Sequence, residues 1–180
     1  FEMILLINIC KEKLHSLEFV KPIEDILKAS KIKFTTKHYN QLRKGTIANA
    51  DKIIICGTSL KDNKYSLDAL SFNWIKSYNK PILGICGGMH ILHLMHNGHL
   101  KSNLQIGLVK VNFKKSFLGL KGEKQVYNLH HYSANSKEFE TFAEGQASKH
   151  KSKPFYGILF HPEVRNKNII QAFIGSEQSS

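Results

Sequence analysis

The sequence predicts an α/β fold: a doubly wound, mostly parallel sheet with helices on both faces and a small antiparallel extension. Three observations carry this. Short, wholly apolar runs alternate with helical segments over the first hundred residues, as right-handed crossovers between buried parallel strands require. The second half shifts to strand-like segments joined by short turns, the pattern of antiparallel pairing. The length of 180 residues, with 42% hydrophobic and 22% charged, suits one compact domain spanning 1–180 and excludes a disordered chain. No period of repeat length recurs.

The elements follow in order. Met3 to Ile9 is apolar throughout and reads as a strand buried on both faces. Phe1 and Glu2 read as additions ahead of a start at Met3. Ile23, Ile26 and Leu27 sit at helical spacing between Val20 and Lys31, with Pro22 in the first turn, where its missing N–H costs nothing. Ile32 to His38 alternates as a second strand. Lys52 to Cys56 is a third, closed by Gly57. Ser66 to Tyr78 is expected to be a helix with Leu67, Leu70, Trp74 and Ile75 on its buried face. Pro81 to Ile85 is a fourth strand, and Gly88 to Asn97 a helix. Leu104 to Phe113, Glu123 to Leu129 and Phe155 to Phe160 read as strands, and Asn168 to Ile174 as a final helix. The basic stretch Lys149 to Lys153 reads as a solvated loop.

Lys+Arg outnumber Asp+Glu 26 to 14, a net charge of +12. That surplus invites a nucleic-acid reading, but Arg43 and Arg165 are the arginines, and the lysines are spread along the chain. Bidentate reading of phosphate and guanine depends on arginine, so a lysine-rich solvated surface is the reading adopted. No apolar run reaches the roughly 18 residues of a membrane helix, and no signal sequence is seen. Cys10, Cys56 and Cys86 are odd in number and widely spaced, which fits reduced thiols in a cytoplasmic protein and neither a disulfide framework nor a zinc site.

Two motifs carry chemistry. Gly84-Ile-Cys-Gly-Gly88 lies between an apolar strand and a helix. This G-x-C-x-G pattern is the cysteine form of a nucleophile elbow. Small residues allow a sharp turn that pushes the thiol into a strained, exposed position, and the helix N-terminus favours thiolate. On this motif alone, an incidental cysteine in a glycine-rich turn remains an equal reading. The second motif, Phe160-His-Pro-Glu-Val164, follows another apolar strand. A histidine and a glutamate two residues apart can act as a base and its orienter.

Together, the elbow, the F-H-P-E segment, and their spacing of about 75 residues resemble the class I (triad) glutamine amidotransferases. The run KHKSKPFYGILFHPEV, Lys149 to Val164, and the region Asn128 to Ala143 with His131 are most similar to the glutaminase subunit of archaeal-type GMP synthases. The resemblance implies a flavodoxin-like fold and hydrolysis of L-glutamine, with Cys86 as nucleophile, His161 as base and then acid, and Glu163 as orienter. It implies an oxyanion hole from the backbone N–H of Gly87 and of Gly57 or Thr58. His90 and His131 fall at substrate-contacting positions. No cofactor or metal is implied. Ammonia would pass to a synthetase (ATP-pyrophosphatase) partner.

Several residues depart from the family pattern. Gly57-Thr58-Ser59 stands where Gly-Gly-Pro is usual, His90 where Gln is usual, and Gly87 where a larger residue is usual. His131 is followed by Tyr132 and Ser133, not by the expected acidic residue. These departures keep open a stand-alone γ-glutamyl hydrolase, or a catalytically weak regulatory protein on the same fold. His90, His93, His96 and His99 recur every third residue. On a helix that spacing winds around the axis, so the last three read as surface residues and no metal site is assigned.

Overall fold

The computed structural model describes residues 2–175; Phe1, one of the two residues read as additions, lies outside them. Its elements run β1 (Met3–Asn8), α1 (Ser16–Phe19), α2 (Lys21–Ala29), β2 (Lys33–His38), α3 (Lys44–Ala48), β3 (Lys52–Ile55), α4 (Lys64–Leu67), β4 (Ile82–Ile85) and α5 (Gly87–Met95). They continue with β5 (His99–Phe117), β6 (Leu120–Asn135), β7 (Phe139–Ala143), β8 (Ala147–His150), β9 (Phe155–Ile158) and α6 (Asn168–Gly175). Short 3-10 turns cover Lys13–His15 and Tyr39–Gln41, and a longer one covers Ala69–Ser77.

The main sheet has the order β2-β1-β3-β4-β9-β8-β7. The first five strands are parallel, and β8 and β7 add on antiparallel. Both faces of β1 are buried, as its unbroken apolar run dictates. Ile4 and Leu6 join a core layer with Ile23 and Leu27 of α2 and Phe173 of α6. Leu5 and Ile7 join the opposite layer with Phe72, Ile91 and Leu92.

The expected helix over Ser66–Tyr78 is not formed. One α-turn is followed by a 3-10 run over Ala69–Ser77. With three residues per turn, Ala69, Phe72 and Ile75 line up and pack inward, with Tyr78 behind them. Leu67 and Leu70, expected on the buried face, are each 81% exposed. The loop read over Lys149–Lys153 is formed only by 151–153; Lys149 lies in β8, paired with Glu140 of β7 and Tyr156 of β9, and His150 is buried.

The largest departure is the second sheet. The strands expected over Leu104–Phe113 and Glu123–Leu129 are the middle of a much longer antiparallel ribbon, β5 with β6. One face of β5 shows Leu104, Ile106, Leu108 and Lys110 to solvent, while Val111, Phe113 and Phe117 turn inward to the core layer shared with α2 and α6. Among the described residues, no helix is long and apolar enough to cross a membrane.

Candidate active site

The sheet itself assembles the site. β3, β4 and β9 are adjacent and parallel, with Ile55 opposite Gly84 and Ile85 opposite Ile158. Their C-terminal ends therefore lie side by side, where open α/β sheets bind ligands. The chain leaving β3 supplies Gly57 and Thr58, the chain leaving β4 supplies Cys86, and the chain leaving β9 supplies His161 and Glu163.

Cys86 has φ 50 and ψ −104, a conformation strained for any residue with a Cβ. It is held there by its own N–H, which donates to Ile158 O at 2.7 Å, and by the first turn of α5, where His90 N–H donates to Cys86 O at 3.1 Å. Gly84 is required at the turn's base, because a Cβ there would lie 2.5 Å from the Gly88 carbonyl oxygen. The thiol sits at the N-terminus of α5, whose first N–H groups lack intrahelical partners.

Facing it, His161 and Glu163 are both buried, and His161 Nδ1–H donates to Glu163 Oε1 at 2.7 Å. Burial alone would lower the His161 pKa. The Glu163 carboxylate and the Cys86 sulfur outweigh it and raise the ring well above its usual range. Gly57 packs flat against this ring; a Cβ on it would stand 2.8 Å from His161 Cε1. The Gly57-Thr58-Ser59 turn stays at ordinary φ, so Thr58 fits without strain. Thr58 Oγ1 donates to Asp62 Oδ2 at 2.7 Å, and the same carboxylate oxygen accepts from Lys11 N–H at 2.7 Å.

The elbow sequence implies an exposed nucleophile, but Cys86 is only 5% exposed. The cover is β6. The Leu129 carbonyl lies 3.6 Å from Cys86 Sγ and 3.3 Å from His161 Nε2. The remaining cleft, lined by Thr58, Tyr65, Cys86, His90, His130 and His131 among others, holds about 20 Å³, room for about one water. His90 lies on the floor of this cleft with both ring nitrogens engaged: Tyr65 Oη–H donates to Nδ1 at 2.8 Å, and Nε2–H donates to Tyr132 O at 2.9 Å. Burial, against the help of that carbonyl, holds its pKa down at about 4. His131 is exposed at the rim, stacked on Tyr132 at 4.9 Å. Sequence reasoning missed Tyr65, Asp62 and the Leu129 carbonyl. A backbone atom leaves no residue-type signal, and a tyrosine in a turn reads as ordinary core.

The surface reading is corrected for two of the later histidines: His93 and His96 are buried, because α5 is covered on all sides, whereas His99 is exposed, on β5 and not on the helix. His96, Glu138 and His150 converge, their ligand atoms within 4.8 Å of one another. The hydrogen bonding there suits a proton better than a cation. His150 Nδ1 accepts the N–H groups of Ser152 and Lys153, each at 3.1 Å, which puts the ring proton on Nε2, facing Glu138 Oε2 at 3.4 Å. His150 thus has no free lone pair toward the centre of the cluster.

The profile of the family described as glutamine amidotransferase class-I matches residues 16–175. The chain belongs to the class-I glutamine amidotransferases. Among curated relatives it is similar to a GMP synthase [glutamine-hydrolyzing] of Francisella philomiragia subsp. philomiragia, 33% identical over 142 residues. That match covers 69% of this chain and 27% of the relative. A GMP synthase [glutamine-hydrolyzing] of Francisella tularensis subsp. novicida is 32% identical over 111 residues, covering 52% of this chain and 22% of the relative. The chain thus spans about a quarter of the length of these relatives. Among solved structures, a Thermoplasma acidophilum protein described as one subunit of a GMP synthase superposes with TM-score 0.85 at 21% identity, covering 97% of this chain and 92% of that one. A Thermotoga maritima glutamine amidotransferase gives TM-score 0.69 at 18% identity, covering 96% and 82%. These two structural likenesses establish the class I amidotransferase fold.

Proposed function

We propose that this glutamine amidotransferase hydrolyses L-glutamine to glutamate and ammonia through a Cys86 thioester, and hands the ammonia to a synthetase partner of the ATP-pyrophosphatase kind in GMP synthesis. The observation that carries the chemistry is a strained cysteine at a helix N-terminus facing a buried histidine locked by a carboxylate at 2.7 Å. The names of the Francisella relatives and of the Thermoplasma protein support the GMP branch.

In this mechanism His161 takes the Cys86 proton as the sulfur attacks, a task its raised pKa suits. The thiolate attacks the side-chain amide carbon. The resulting oxyanion takes N–H donors from Gly87 and from Gly57 or Thr58, each donor worth on the order of 3 kcal/mol of barrier. Collapse breaks the C–N bond, and His161 gives its proton to the departing ammonia. A water, deprotonated by the same ring, then releases glutamate from the thioester. Glu163 keeps the ring oriented and stabilises its cationic form. In this reading His90 supports the cleft floor, and His131 at the rim meets the amino-acid end of the substrate.

The test is glutamine turnover by the full chain. Cys86→Ala should lower it by roughly 10⁴-fold or more while the circular dichroism spectrum stays unchanged. Near-wild-type turnover in that variant would remove Cys86 as nucleophile. The narrow cleft favours one secondary reading, slow catalysis by the chain alone. A full rate without any partner would instead favour the stand-alone γ-glutamyl hydrolase.

A further inference from the structure

We propose that the β5–β6 ribbon is the gate of the glutamine site, and that the apolar stripe on its outer face is where the ammonia-accepting synthetase docks to open it. The proposal rests on the glutaminase reading above and identifies the regulation of that site.

The bar of the gate is one peptide. An amide substrate must bring its carbonyl carbon to Cys86 Sγ and its nitrogen within reach of His161 Nε2. The Leu129 carbonyl already stands against both atoms, at 3.6 and 3.3 Å. Two anchors flank it on β6: Tyr127 O accepts from His161 N–H at 2.8 Å, and Tyr132 O accepts from His90 Nε2–H at 2.9 Å. With the strand seated this way, its inward side chains are tied to β5: Asn128 Nδ2 donates to Gln105 Oε1 at 2.8 Å, and the His130 ring bonds the Asn103 backbone. The seat over the site is therefore held by a few polar contacts, each of which water can replace on opening.

The handle lies on the other face. Leu104, Ile106 and Leu108 occupy alternate positions of β5 and are 58%, 60% and 54% exposed. Three large apolar side chains in one row on a two-stranded ribbon form a patch, unlike single apolar residues scattered over a surface. Ile106 is directly opposite Leu129, and Leu108 directly opposite Tyr127, the two β6 residues whose carbonyls engage the site. Leu129 is itself half-buried against the core layer that contains Cys86. One rung of the ladder therefore connects the stripe to the bar.

Charge selects the occupant. The two strands carry Lys101, Lys110, Lys114, Lys115, Lys121 and Lys124 against Glu123; Lys110 pairs with Glu123 at 3.2 Å and Lys115 with Glu140 of β7, and the other four add to the positive edge. The matching surface is an apolar strip edged with carboxylates, carried by the synthetase that consumes the ammonia. Steering by such edges weakens with salt.

The experiment follows covalent labelling of Cys86 by the glutamine analogue 6-diazo-5-oxo-L-norleucine, read by intact mass. It compares the full chain alone with the chain mixed with the GMP synthase ATP-pyrophosphatase subunit from the same source. Wild type should label at least tenfold faster with the subunit, and this gain should shrink at high ionic strength. Leu104→Ser/Ile106→Ser/Leu108→Ser should label at the wild-type basal rate and lose the acceleration. Lys121→Glu/Lys124→Glu leaves the stripe intact and should reduce the acceleration several-fold, so the proposal stays testable if the triple variant folds poorly. Wild-type labelling as fast alone as with the subunit overturns the gate. Undiminished acceleration in both variants overturns the docking face. No labelling under any condition defeats the glutaminase reading, and this proposal with it; the other two failures leave that reading standing.

Discussion

The elbow and the ribbon meet at Cys86, yet they are built on opposite principles. Around the elbow, β4 is buried at every position, α5 is covered on all sides, and glycines let backbone touch backbone. The ribbon has one strand face open to solvent over most of its length and seats on the site through a few carbonyl oxygens. Close packing allows a single arrangement and can hold a strained cysteine indefinitely. The hairpin end of the ribbon is anchored in the core by Val111, Phe113, Phe117 and Leu120, but the stretch of β6 around Leu129 touches the site through polar contacts, and the cover is drawn from that softer part. The difference teaches that the reactive geometry is fixed by the rigid half and access to it by the compliant half.

The comparison is broken most sharply at Gly84. Gly84→Ala should cost about 1–3 kcal/mol in urea unfolding and abolish glutamine turnover, because its Cβ meets backbone and not a movable side chain. Retained stability and turnover would show that the elbow is no stiffer than the ribbon.

Acid is expected to strike the seam between the two halves. His90 and His93 on α5 and His130 on β6 are each held down at about 4, chiefly by burial. Unfolding releases them to about 6.5, so the unfolded chain binds more protons between those values and stability falls as pH drops from about 6.5 toward 4. His161 has the opposite sign. Its raised folded pKa contributes stability that is fully present below about 6.5 and is lost as pH rises through the folded value. Urea midpoints from pH 7.5 to 4.5 should show the acid fall, and His130→Gln should flatten it. A midpoint independent of pH across this range would refute the assignment.

A smaller effect is expected at the floor of the cleft. His90→Leu strands the Tyr65 hydroxyl and the Tyr132 carbonyl, and should cost about 1–3 kcal/mol while raising the KM for glutamine. His90→Gln should recover part of both. Kinetics and unfolding unchanged in the leucine variant would make the ring a bystander. The smallest effect is reserved for the outer face of the ribbon. Leu108→Ser should shift stability by no more than about 0.5 kcal/mol, since its side chain is already more than half exposed. A loss of several kcal/mol would mean that the stripe is structural.

The parallel core was readable from sequence because its signals are local. An apolar run such as Met3 to Ile9 can be satisfied only by burial on both faces, and the same logic located the strands that lead into the Cys86 elbow and the His161 segment. Candidate catalytic residues were legible for a related reason. A strained turn and a base with its orienter need particular residue types at short spacing. The 3-10 run over Ala69–Ser77 escaped, since Leu67, Leu70, Trp74 and Ile75 also fit a helical face, and only packing chose the three-residue period that buries Phe72. The histidines of α5 escaped because three-residue spacing says nothing about how many sides of a helix will be covered.

By itself, then, the sequence determined the chain order of the five parallel strands, the elbow at Cys86 and the pairing of His161 with Glu163, each set by residue type over a few positions, whereas β7 and β8 were not read. Only the tertiary structure decided that β6 closes over the thiol, that Asp62 tethers Thr58, and that His96 faces Glu138 and His150. These contacts join segments distant in the chain, and several run through backbone carbonyls. A carbonyl is the same atom in every residue, so where it points is set by the fold and not by the letter in the sequence.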